Sequence, residues 1–215
     1  YRAGSARTAA RTGREAERGA VSRPSPPAFV ALLSFTLGRL SWPLLLLPPV
    51  FLTALSLFVR WSGWMPDKRV AEYWALNLVY AAVAVALLRY WRRRDAYWLW
   101  LALLAATLLL REYHIDNTSV GAFVVLVALL LYAWQHYPRF AGYFASEMTV
   151  SLMAAMLLCY ALALACDKGL LNFMSGSFLL QNRVEEYIEN LGHIFLLLLT
   201  LCSRKQINPL INPPA

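Results

Sequence analysis

The chain has 215 residues, of which 60% are hydrophobic and 15% charged, and its net charge is +8. That composition lies outside the range of soluble globular domains. The basic residues gather between apolar segments instead of along a polar face, which argues against a nucleic-acid partner and for the charge pattern that orients membrane proteins.

Residues 1–27 are rich in Arg, Ala, Ser and Pro and open on Tyr1, and are expected to form a basic disordered or processed tail. Residues 28–42 are apolar but short, and read as an interfacial segment or an extension of the first span. Six spans are predicted at about 44–59, 70–88, 96–112, 119–135, 149–166 and 184–202, followed by a short tail over 204–215. Pro48-Pro49 should kink the first span or start its regular part. Tyr and Trp gather near several span ends, among them Trp61, Trp64, Tyr90, Trp91, Trp98 and Trp134, as an aromatic belt requires. Cys159, Cys166 and Cys202 have neither metal nor redox spacing and act as small hydrophobes.

Six spans bring both termini to one side. Fourteen of the twenty Lys and Arg residues then fall on that side, including the seven before Ser41 and Arg89, Arg92, Arg93 and Arg94. The positive-inside rule makes it the cytoplasmic side. The fold class is therefore all-α, a transmembrane bundle of about six spans with cytoplasmic termini, expected in a bacterial inner membrane with the lipid bilayer as its first partner.

Most acids and histidines of interest fall on the other side. The last segment, RVEEYIENLGHIFLLLLTLC, has an apolar run of only nine residues from Ile194. That is about 14 Å of helix against a hydrocarbon core of about 30 Å, so its acidic half must belong to the span. Glu186, Glu189, Asn190 and His193 share a helix arc of roughly 100°, and Glu185 stacks one turn from Glu189. Glu189 and His193, four residues apart, can share one ion. The third span ends on Arg111, Glu112, His114, Asp116 and Asn117, drawn to similar depth. Ionisable groups inside a membrane are costly and mark functional sites unless they pair with each other.

Arg111-Glu112 with His114 and Asp116 at one span end, and Glu185, Glu186 and Glu189 at a later start, resemble a pattern in small uncharacterised bacterial multi-span proteins. The resemblance covers those two segments, with His114 and Asp116 in reversed order, and implies no particular activity. Nucleotide-binding, zincin and serine-hydrolase motifs do not occur.

Two functions follow as expectations. In the first, Glu112, His114, Glu189 and His193 hold a divalent transition metal such as zinc. Glu186 and Glu189 then serve a hydrolytic reaction on a lipid or other membrane substrate, and Arg111, Asp116, Glu185 and Asn190 bind or balance charge. In the second, the same groups form an internal ion-pair network in an accessory subunit that docks other membrane subunits.

Overall fold

The computed structural model describes residue 38 and residues 40–64, 67–113, 118–171 and 178–203, with the side chains of 118–120, 123 and 178–183 left aside. Among them are seven α-helices and no strand: α1 Trp42–Ser62, α2 Lys68–Arg93, α3 Ala96–Glu112, α4 Thr118–Gln135, α5 Tyr137–Phe144, α6 Glu147–Asp167 and α7 Phe178–Cys202. The helices belong to one compact unit. By length and composition, α1, α2 and α6 can each cross a membrane.

Local chemistry sets the helix ends. Pro43 lies in the first turn of α1, where no donor is needed, and Gly63 closes that helix at φ 66° with its N–H on the Val59 carbonyl. Pro48 and Pro49 lie inside α1, which runs on through them from Trp42. Asp67 and Asp95 cap α2 and α3 by accepting from the backbone N–H of Arg69 (2.9 Å) and Tyr97 (3.1 Å). Gly169, at φ 70°, ends the turn after α6, where a helix end is expected.

A central helix and two stripes of small residues give the packing. α7 lies against α6, α2 and α1, and α3 against α2 and α4. On α2 the buried residues are Ala71, Ala75, Val79, Ala82 and Ala86, one small side chain per turn, so that its neighbours can approach closely. On α6, Ala155, Cys159, Ala163 and Cys166 do the same, with Leu152 and Met156 filling between them. From α7, Ile188, Phe195, Leu196 and Leu199 enter the same core.

Helix α5 is an addition to the sequence reading, which has only a turn after span four. Its buried Phe140, Ala141 and Tyr143 meet the start of α3. There Tyr97 stacks on Tyr143 at 3.8 Å, Tyr97 Oη meets Ser203 Oγ at 2.9 Å, and the Tyr143 hydroxyl donates to Asp95 Oδ2 at 3.0 Å. Burial and the adjacent carboxylate push the Tyr143 phenol up to about 12, so it remains a donor across the physiological range. Arg89 completes this end. Its guanidinium lies 4.7 Å from the Trp98 ring centroid and donates to the Leu201 and Ser203 carbonyls at the end of α7.

Candidate functional site

The opposite end gathers the start of α2, the end of α3, the second half of α6 and the first half of α7. α7 supplies most of its polar groups. Glu186, Glu189, Asn190 and His193 are all buried, as their shared arc requires once that face turns inward.

Each of these residues has a partner on another helix. Arg111 Nη1 lies 2.6 Å from Glu189 Oε1, and Lys68 Nζ lies 2.9 Å from Glu186 Oε1 and 3.6 Å from Glu72. Asn190 donates to the Ala71 carbonyl at 2.9 Å. His193 is fully buried, with Nδ1 2.9 Å from Tyr160 Oη and Nε2 3.4 Å from Glu112 Oε1.

Glu112, Glu189 and His193 form the centre of the site. One ligand atom from each lies within 4.8 Å of the others. Donors about 2.0 to 2.2 Å from a tetrahedral ion stand roughly 3.3 to 3.6 Å apart, so the Glu112–His193 pair already has that spacing and Glu189 needs only a small side-chain adjustment.

Two observations make this more than a cluster of acids. First, His193 Nε2 and Glu189 Oε1 are buried without a hydrogen-bond partner among the described residues. The Arg111 contact is short but its N–H is not directed at Glu189 Oε1, so it is an ion pair without a formed hydrogen bond. Buried polar atoms without hydrogen bonds are costly, and of the five among the described residues these two belong to the trio, the others being Trp98 Nε1, Thr149 Oγ1 and Asn190 Oδ1. Second, Tyr160 is placed as an outer partner of a ligating imidazole. With the proton on Nδ1, the ring donates to Tyr160 and directs its Nε2 lone pair at the carboxylates.

Access is one-sided. The Glu189 side chain is 8% exposed and His193 is 0%, whereas Arg111 and Lys68, which pair with the buried acids, are 39% and 48% exposed. Both cations therefore lie between the carboxylates and the outside.

Gly192 makes the Tyr160 contact possible. A Cβ there would sit 3.1 Å from both Cys159 Cβ and Tyr160 Cε1, tighter than ordinary contact, so any other residue would push α6 and α7 apart by a few tenths of an ångström beside His193. Neither Tyr160 nor Gly192 is legible as a site residue, because each reads as part of an apolar span. An i, i+1 relation between Gly192 and His193 was the one available signal.

The other expected residues divide. Glu185 is half-buried one turn before Glu189, and Glu186, expected as a catalytic group, instead faces Lys68 at the edge of the trio. His114 and Asp116 lie outside the described residues. Compared with protein-family models, with curated proteins and with solved structures, the chain gives no match.

Proposed function

We propose that this chain is a polytopic helical membrane protein whose non-cytoplasmic end holds a divalent transition metal on Glu112, Glu189 and His193. α1, α2, α3, α4, α6 and α7 are its six spans, with both termini cytoplasmic in a bacterial inner membrane. α3 and α4, at 17 and 18 residues, fall at the short end of the spanning range. α7, at 25 residues, is long enough once its acidic half is buried against the bundle.

The observation that carries the metal reading is the pair of buried ligand atoms without a formed hydrogen bond, Glu189 Oε1 and His193 Nε2, within 4.8 Å of a Glu112 oxygen. Charge supports it. Glu112, Glu185 and Glu189 all lie close enough to Arg111 to act on its charge, so three carboxylates share one guanidinium beside the trio. A mixed carboxylate and imidazole set suits Zn²⁺, Mn²⁺ or Fe²⁺. Three protein ligands leave a position open, as in hydrolytic zinc sites, where the metal lowers the pKa of bound water. Glu185 is the spare carboxylate beside the trio for taking that water's proton, and a lipid or other membrane-borne ester is the substrate class that reaches a site at this depth. His114 is a fourth candidate ligand.

The Arg111–Glu189 and Lys68–Glu186 contacts favour a second reading, an ion-pair network that locks α2, α3 and α7 in an accessory subunit. Elemental analysis of the purified protein separates the two. Stoichiometric metal in the wild type, lost in both Glu189→Ala and His193→Ala, is the expected result. A well-folded, metal-free wild type establishes the network instead.

A further inference from the structure

At the other end of the bundle, four arginines surround one tight turn. Arg92 and Arg93 end α2, Arg94 caps it, and Arg139 lies on α5. All four are exposed, and none forms an ion pair among the described residues, although Asp95 is next in sequence. Cations in the last turn of a helix are favoured by its dipole, which accounts for Arg92 and Arg93 in part.

Arg94 is less easily explained. It sits at φ 51°, the left-handed region, at a cap position that glycine usually fills, and it is the only described non-glycine residue with positive φ. An arginine kept where glycine is favoured strains the backbone, and such outliers concentrate at functional positions.

The turn is also rigid. Asp95 caps α3 and accepts from Tyr143, so it fastens the arginine triplet to α5, and Arg139 precedes Tyr143 by one helical turn. Arg93 lies close enough to Tyr143 to act on its charge. The exposed rings of Trp91 and Trp134 flank the same end, at the ends of α2 and α4.

We infer that Arg92, Arg93, Arg94 and Arg139 form a preorganised site for the headgroups of anionic phospholipids. Charge selects the occupant: four guanidiniums without an ion pair among the described residues, Arg94 lying 5.9 Å from the Tyr90 ring centroid, can bind phosphate in bidentate fashion and are flanked by indoles of the kind that sit at the headgroup level. Geometry agrees, because a turn between two spans is held at the membrane surface, where phosphodiesters are concentrated. The inference rests on the membrane reading but not on the metal site.

The test uses the full chain in phosphatidylcholine bilayers, with tryptophan quenching by dibrominated phosphatidylglycerol compared with dibrominated phosphatidylcholine. Each arginine near the surface contributes about fivefold in attraction to anionic lipid. The wild type should therefore prefer phosphatidylglycerol by tenfold or more. R92Q/R93Q/R94Q/R139Q should lose at least tenfold of that preference, and the matching four-lysine variant should keep most of it. The lysine variant also controls for folding. An undiminished preference in the glutamine variant overturns the inference, as does equal quenching by both lipids in the wild type. Release of phosphatidylglycerol by inorganic phosphate, but not by chloride at equal ionic strength, would make this a site for free anions and also overturn it. Quenching by neither lipid would instead mean that the membrane reading itself had failed.

Discussion

At the end of the bundle built by the α2–α3 turn, α5 and Ser203, rings stack and hydroxyls reach partners. The Tyr97–Tyr143 stack, the Tyr143–Asp95 and Tyr97–Ser203 bonds and the Arg89 contacts satisfy one another, and the one polar atom of Trp98, an indole nitrogen that cannot ligate a metal, is buried there without a hydrogen bond among the described residues. At the opposite end, carboxylates and an imidazole are packed as tightly, yet two ligand atoms of the trio have no hydrogen-bond partner. A buried network completed internally contributes stability, whereas one left incomplete either costs stability or awaits a ligand. The comparison therefore assigns support to the aromatic end and chemistry to the charged end.

Trp98→Ala should separate the two most clearly. Trp98 is fully buried against Tyr97 and Tyr143, and its removal should cost about 4 kcal/mol of stability while metal content stays unchanged, read by thermal unfolding beside elemental analysis. Arg89→Gln comes next. It removes two charged hydrogen bonds to the end of α7 and the contact with Trp98, and should cost about 2 kcal/mol in the same assay. If Trp98→Ala abolishes metal binding in folded protein, the division between the ends is wrong.

Gly192→Ala probes the charged end by packing alone. The added methyl pushes on Cys159 and Tyr160, so it should cost about 1 to 2 kcal/mol and also weaken metal binding, a double effect that Trp98→Ala should not show. The smallest change is Tyr160→Phe. It keeps the ring and removes the hydroxyl beside His193 Nδ1, so metal affinity should fall about tenfold by calorimetric titration while stability falls by about 1 kcal/mol. Unaltered affinity in Tyr160→Phe would remove the hydroxyl from the site.

What was readable in the sequence follows from what periodicity can encode. The apolar runs locate the helices α1, α2, α3, α4 and α6 to within five residues at each end, because an uninterrupted apolar stretch of that length reads as a buried helix. The inward arc of α7 is equally readable, since residues at i, i+3, i+4 and i+7 share a face whatever they pack against. The start of α7 was not, and the helix begins at Phe178, six residues before the expected boundary. Contacts between helices were out of reach for a different reason. Lys68 with Glu186, Arg89 with Ser203 and Tyr160 with His193 depend on the rotation and axial shift of one helix against another, which a single sequence does not state. α5 was missed because its eight residues lie within the length of an ordinary loop.

Arg89 also has a consequence for the distant trio. By holding the Leu201 and Ser203 carbonyls it fixes how far α7 slides along α2, and His193 lies eight to ten residues up the same rod, about 12 to 15 Å away. A slip of one turn would carry His193 and Glu189 about 5.4 Å past Glu112, more than the whole width of the cluster. The alignment of the buried ligands in one half of the bundle is thus gauged by an arginine in the other.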